Sequence, residues 1–329
     1  MKKLPKHTLL AFLAMMICIS SCVISHEKSS SINSFSLASW NDGNQKQRIL
    51  DLLKEVTNPD SKGFVPVKDR FAVFDFDGTV GCEKPDYMEV IVAMKQLCKL
   101  ATKDPSLFKK DSLYAAACAN NYDYINTRVY AAILEAFLGY NQNRYIDSVA
   151  ATTSKDLHPR FEQPYRLMYY KPMFELINLL KEQDFTVYLV SGSEEGFLRA
   201  YGEDYLNIDS HKIIGSTISL SYKYNEKENS SLFLRDSAYL KPMAAGDGKA
   251  ELIKNRIGQE PILAFGNTMG DYEMLTYTRS NSYPNLELIL IHDSPKEYVY
   301  HDKTLEQKAK QHNWVSVKMK DDFKVIFPF

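Results

Sequence analysis

The chain has 329 residues, with 40 Lys and Arg against 41 Asp and Glu and a formal net charge of −1. That length suits one core plus one inserted or appended module, and the balanced charge excludes a whole-chain field of the kind that draws a protein to nucleic acid or to an anionic membrane surface. A composition that is 45% hydrophobic and 25% charged is that of an ordinary globular protein, so any anion recognition has to be local.

The first residues differ from the rest. Lys2, Lys3 and Lys6 form a cationic start, and Leu9 to Ile19 is an apolar run of signal-peptide length, too short to cross a bilayer comfortably. It ends in Ile19-Ser20-Ser21-Cys22, which resembles the bacterial lipobox, where cleavage before the cysteine leaves a thiol that becomes diacylglyceryl-modified. The expectation is a signal peptide over residues 1–21, lipidation of Cys22, and a lipid-anchored tether over residues 22–43 whose stretch His26 to Ser39 is polar and Ser-rich. The membrane is then a partner through the anchor alone, and the protein is exported to the cell envelope, periplasmic or surface. Cleavage leaves Cys22, Cys82, Cys98 and Cys118. With Cys22 lipidated, the other three cannot all pair, and an oxidising compartment permits a Cys98–Cys118 bridge without establishing one.

Asn44 to Val56 carries Ile49, Leu52, Leu53 and Val56 at helical spacing, stopped by Asn58-Pro59-Asp60 and Gly63. Phe71-Ala72-Val73-Phe74 is a short apolar run of the kind that forms a buried parallel strand, and similar runs recur at Phe185 to Val190, Pro261 to Phe265, Leu286 to Ile291 and Val315 to Val317. Strands alternating with helical stretches imply a doubly wound, Rossmann-like α/β fold with a parallel sheet. Two stretches interrupt the rhythm. From Pro85 to about Arg160 the pattern is helical throughout, with stripes at Tyr87, Ile91, Met94, Cys98 and at Ile125, Val129, Ile133, Phe137. From Ile213 to Leu240 it alternates around the turn-prone Asn225-Glu226-Lys227-Glu228-Asn229, which predicts a β-hairpin. The division is a core over 44–79 and 165–329 and a helical cap over 80–164.

Asp75-Phe76-Asp77-Gly78-Thr79 follows the first strand directly, placing two carboxylates where open α/β sheets hold their ligands. Three further features come in order. Thr186 to Val190 is an apolar strand ending in Ser191. Lys249 lies at a helix start in Gly246-Asp247-Gly248-Lys249, with Lys241 as the competing lysine. Gly266-Asn267-Thr268-Met269-Gly270-Asp271 follows another strand. In this order they resemble the motifs of the haloacid dehalogenase superfamily, except that Asn267 stands where the first acid of the last motif is usual. Ser39-Trp40-Asn41-Asp42-Gly43, His158-Pro159-Arg160-Phe161 and Lys171-Pro172-Met173 look like a bacterial, phosphoserine-phosphatase-like branch, in which Asn in the last motif is common. That branch often has Leu-Trp after the first motif, where this chain has Val80 and Gly81.

The resemblance implies an inserted α-helical cap of the C1 type and Mg²⁺-dependent hydrolysis of a small phosphomonoester through an aspartyl phosphate. Asp75 is the nucleophile and Asp77 the acid and base. Ser191, the Gly192 backbone N–H and Lys249 hold phosphoryl oxygens, with Thr79 and Arg160 as further substrate contacts. Mg²⁺ takes carboxylate and carbonyl oxygens and keeps several waters, so Asp75, the Asp77 carbonyl and Asn267 suffice, with Asp271 either behind them or in place of Asn267. Tyr122, Tyr124 and Tyr130 on the insertion are mainly packing residues, with a few rings toward the pocket. A dehalogenase would leave the second acid and the last motif idle. A phosphomutase, and a non-enzymatic lipoprotein that binds a phosphorylated ligand, are the competing readings.

Overall fold

The computed structural model describes residues 37–329; the expected signal peptide over 1–21, Cys22 and the tether up to residue 36 lie outside the described residues. Helix α1 (Asn44–Thr57) precedes strand β1 (Phe71–Phe74). The helices α2 (Met88–Lys103), α3 (Leu107–Lys110), α4 (Ser112–Cys118), α5 (Tyr122–Asn126), α6 (Val129–Ala136) and α7 (Gln142–Lys155) follow. The chain returns through α8 (Lys171–Glu182) to β2 (Thr186–Glu194), α9 (Glu195–Leu206), β3 (Ile213–Ser216), and then β4 (Ile218–Asn225) and β5 (Ser230–Tyr239). It ends with α10 (Asp247–Ile257), β6 (Leu263–Gly266), α11 (Tyr272–Arg279), β7 (Leu286–Ile291), α12 (Lys303–His312), β8 (Val315–Lys318) and α13 (Met319–Asp322).

Six strands form one parallel sheet in the order β3-β2-β1-β6-β7-β8, and β4 and β5 pair separately as an antiparallel hairpin. The sheet is the doubly wound α/β arrangement. Its apolar runs have no polar face because helices cover both sides, and every residue of β6 and β7 is buried. Strand β1 sits in the middle, with Phe74 opposite Leu189 on one side and Phe265 on the other. The chain winds first to β2 and β3, then crosses to β6 and beyond. This reversal leaves a crevice at the carboxyl ends of β1 and β6, the place where such sheets bind ligands.

Two expectations need correction. Ile213 to Ser216 pairs in parallel with β2 as a fully buried strand of the main sheet, so the hairpin begins only at Ile218. Burial separates them: alternation over four residues does not tell a buried strand from an edge hairpin. The solvated tether does not reach residue 43, because Leu37, Ser39 and Trp40 are buried. Trp40 Nε1 donates to Pro172 O at 2.9 Å, its ring lies edge-on to Phe323 at 5.0 Å, and Ser39 donates to Glu175 through both its N–H and its hydroxyl. Strand β2 itself continues past Ser191 to Glu194, which caps α9 by accepting from Phe197 N.

Between β1 and β2 the chain is helical, α2 being buried at ten positions and packed on α4, α6 and α7. A Cys98–Cys118 disulfide ties α2 to the end of α4. Closing a loop of this length restricts the unfolded chain by about 3 kcal/mol in the chain-entropy account. The Cys98→Ser/Cys118→Ser variant should therefore unfold at lower urea concentration, with stability reduced by about 2–4 kcal/mol; identical unfolding curves for oxidised and reduced wild type would show that the bridge does not form.

Candidate active site

The loop after β1 is held by its own backbone. The N–H groups of Thr79, Val80 and Gly81 all point at Phe76 O, at 3.1, 2.9 and 2.9 Å, and Gly78 N donates to Gly81 O at 2.7 Å. Gly78 sits at φ +72°, the left-handed region that an L side chain enters only with strain. Phe76 turns inward onto Tyr201, ring centroids 5.0 Å apart, so Asp75 and Asp77, on either side of it, both face the crevice. From behind, His292 at the end of β7 donates from Nε2 to Gly78 O at 2.7 Å, and its Nδ1 meets Glu297 at 3.2 Å.

Asp75, Asp77, Ser191, Gly192, Lys249, Asn267 and Asp271 line one cavity of about 500 Å³. Lys249, in the first turn of α10, lies between two carboxylates, its Nζ donating to Asp75 Oδ1 at 2.6 Å and to Asp271 Oδ1 at 2.5 Å. Burial works against the ammonium, but Asp271 and Asp75 outweigh it and hold Lys249 above its ordinary pKa. The same burial pushes the Asp75 carboxyl well up, with Asp271 adding to the rise and Lys249 opposing it. Asp77 is treated differently. Its Oδ2 accepts from Ser193 Oγ at 2.7 Å and Ser191 Oγ at 3.2 Å; burial raises its pKa while these hydroxyls pull it back.

The last motif divides its two side chains between tasks. Asp271 Oδ2 accepts from the N–H groups of Asn267 and Thr268 at 2.9 and 3.1 Å, closing the turn that starts α11, while its Oδ1 takes Lys249. Both of its oxygens are thus engaged. Asn267 is buried and neither side-chain atom has a partner. A buried amide without partners is costly, and an oxygen-seeking cation is the ligand that Asn267 Oδ1, Asp75 and the Asp77 carbonyl together suit. Among the described residues no three His, Cys, Asp or Glu side chains converge as a metal site, so a cation here depends on that amide and carbonyl. Of the alternatives open in the sequence, this favours Asn267 over Asp271 as the direct ligand.

Two expected substrate contacts lie elsewhere. Arg160 donates to Pro295 O at 2.7 Å and lies over the Tyr298 ring at 4.6 Å, away from the cavity; this cation–π and carbonyl pairing uses the guanidinium for structure. Thr79 is fully buried and donates to Asp75 Oδ2 at 3.1 Å, so it orients the carboxylate and has no face toward a substrate. Lys241 is exposed and outside the cavity. Of Tyr122, Tyr124 and Tyr130 only Tyr130 reaches the lining, where Tyr87 of the same insertion also stands, and His158 accepts a structural task, its Nε2 donating to Lys84 O at 2.7 Å.

Sequence reasoning missed Ser193, Glu83, Glu89 and His292. Ser193 had a signal, because residues two apart on a strand share a face and Ser191 was already in view. Glu83 and Glu89 line the cavity, and Glu89, with Oε1 unpartnered, is pushed up to about 8 by burial and by Glu194. Nothing local marks either as different from a surface glutamate.

Comparison with known proteins places this geometry. The family model described as haloacid dehalogenase-like hydrolase matches residues 72–276. No curated protein matches the chain in sequence. Among solved structures, a conserved functionally unknown protein from Anaerococcus prevotii DSM 20548 is similar with a TM-score of 0.52 at 16% identity, over 82% of this chain and 90% of that one. A protein with unknown function from Bordetella pertussis Tohama I gives 0.49 at 11%, over 75% and 97%. A phosphoserine phosphohydrolase-like protein from Francisella tularensis subsp. tularensis SCHU S4 gives 0.37 at 17%, over 74% and 99%. At these identities only the first likeness bears on the question, and it bears on the fold. With the family match spanning more than half of the chain, the protein belongs to the haloacid dehalogenase-like hydrolases.

Proposed function

We propose that the chain hydrolyses a small phosphomonoester through an aspartyl phosphate. Two buried carboxylates with different partners carry this assignment: Asp75 lies against the Lys249 ammonium, whereas Asp77 Oδ2 accepts from two serine hydroxyls. Burial raises both carboxyls, so the partners assign the roles: the bonded cation favours the ionised, attacking form of Asp75, and Asp77, hydrogen-bonded only to neutral hydroxyls, is placed to carry the proton.

In the first step an Asp75 oxygen bonds to phosphorus as the ester P–O bond breaks, and Asp77 gives its proton to the departing oxygen. In the second, Asp77 takes a proton from water, whose oxygen displaces the Asp75 carboxylate and leaves inorganic phosphate. Lys249, already on Asp75, Ser191 and the Gly192 N–H are placed to hold the phosphoryl oxygens, which carry most of the charge. Mg²⁺, held by Asp75, the Asp77 carbonyl and Asn267 Oδ1, would neutralise part of that charge. The helical insertion acts as a cap: Glu89 and Val90 on α2 and the stretch around Tyr130 wall the cavity opposite the catalytic loop, so closure would exclude water and read the leaving group. The space suits a small substrate.

Asp75→Asn should fold as wild type and release no phosphate from p-nitrophenyl phosphate with Mg²⁺, since an amide of the same volume cannot attack phosphorus; wild-type turnover in that variant would sink the mechanism. Asp77→Asn should lose about 10²-fold or more in kcat, and a defect confined to metal dependence would mean that Asp77 is not the acid. Asn267→Ala removes an uncharged oxygen ligand and should raise the Mg²⁺ concentration for half-maximal activity. An unchanged metal dependence would remove Asn267 from the ligand set.

We also propose that the protein is exported and lipid-anchored through Cys22, on the strength of the short apolar run and the small residues before that cysteine. Two acyl chains suffice for stable anchoring. Cys22→Ser should stay unprocessed or appear in soluble form, without incorporating labelled palmitate; continued acylation would refute the assignment.

A further inference from the structure

An amide at position 267 leaves the expected cation site one negative charge short, and both atoms of that amide are buried without partners. What lies beside it is a carboxylate. A Cβ on Gly78, at φ +72°, would meet Asn267 Nδ2 at 1.9 Å, Glu83 Cδ at 2.9 Å and Asn267 Cγ at 3.0 Å. Asn267 and Glu83 therefore lie side by side on the same face of the catalytic loop, in the space that the missing Cβ leaves to them. Glu83 is 5% exposed and lines the same cavity as Asp75 and Asp77. Its one ion-pair partner among the described residues is Lys84, at 3.9 Å, and that ammonium also lies over the Tyr300 ring at 4.7 Å.

We propose that Glu83 is the counter-charge and positioning residue for Asn267, which rests on reading the cavity as a divalent-cation site. The chemistry of the two groups dictates the arrangement. An ionised carboxylate only accepts hydrogen bonds, and an amide has one donating and one accepting end. Turning Oδ1 toward Glu83 would set oxygen against oxygen, so Nδ2 takes that side, as found beside Gly78, and Oδ1, which has no protein partner, is left for a cation. Glu83 thus selects the amide orientation that can bind a cation, and brings back from the neighbouring loop the negative charge that position 267 lacks. Partners that orient ligands from outside change metal affinity by about 10–100-fold when removed.

The test is Mn²⁺ and Mg²⁺ binding to the purified full-length protein without substrate, by Mn²⁺ electron paramagnetic resonance and calorimetry, with thermal melts alongside. Glu83→Gln should weaken Mn²⁺ binding by about tenfold or more, whereas Glu83→Asp, which keeps the charge, should stay within about threefold of wild type. Moving the charge should rescue the loss: Asn267→Asp combined with Glu83→Gln is expected to recover wild-type affinity to within about threefold. With Glu83 present, Asn267→Asp alone should gain little, because two adjacent carboxylates repel each other. Unchanged Mn²⁺ affinity in Glu83→Gln, with a raised KM for the phosphomonoester, would overturn the proposal and make Glu83 a reader of the leaving group. Failure of the double variant to recover affinity while folded would overturn it too. A wild type that binds neither cation would instead bring down the metal-site reading itself.

Discussion

The site depends on one buried ammonium. Lys249 holds Asp75 at the end of β1 and Asp271 beyond β6, so it stitches together the two parallel strands between which the winding of the chain reverses. Desolvating three charges is expensive, and the net gain from such an array over apolar packing is small. Removing one partner from it costs on the order of 3–5 kcal/mol, because an unpaired charge then stays buried. The array is therefore better understood as a device for position than for stability. Without the lysine, burial and mutual repulsion would protonate one of the two carboxyl groups, and Asp75 would be the wrong one to lose.

Around that ammonium the catalytic loop is fixed by backbone groups more than by side chains. The chain leaves the loop toward the helical insertion and re-enters the core alongside itself: Cys82 N donates to Met168 O and Tyr170 N to Val80 O, both at 2.8 Å. His158, from the returning segment, donates to the Lys84 carbonyl, while His292 holds the Gly78 carbonyl from the far side. The two chain segments that lead into and out of the insertion are thus bonded to each other and to the loop that carries the carboxylates.

The hairpin of β4 and β5 adds a second buried charge system. Arg235 reaches inward from β5 to Glu194 at 3.3 Å, with its guanidinium over the Tyr145 ring at 3.7 Å and a hydrogen bond to Gln142 at 2.9 Å. This ties the hairpin to α7 and to the end of β2, immediately after the serines that hold Asp77. Its outer face keeps Tyr222 and Phe233 paired and exposed.

The amino-acid sequence by itself determined what short-range pattern can carry: the apolar runs that became β1, β2, β6, β7 and β8, the helical insertion between the first two, and Asp75, Asp77, Ser191, Lys249, Asn267 and Asp271 as the lining of one cavity. These were legible because a polar residue follows each apolar run, or in the case of Lys249 sits at a helix start, and the fold gathers these positions at one edge. Tertiary structure alone decided the rest. Ile213 to Ser216 joined the sheet because of what packed on it. Arg160 went to Pro295 and Tyr298 because the insertion returns on that side. His292 entered the site across a long stretch of chain, and Glu83 and Glu89, though they follow the first motif closely, were not legible because a charged residue looks the same in sequence whether it meets water or a buried loop. Which groups answer the unpartnered amide of Asn267 is a question of proximity through space, and spacing along the chain does not encode it.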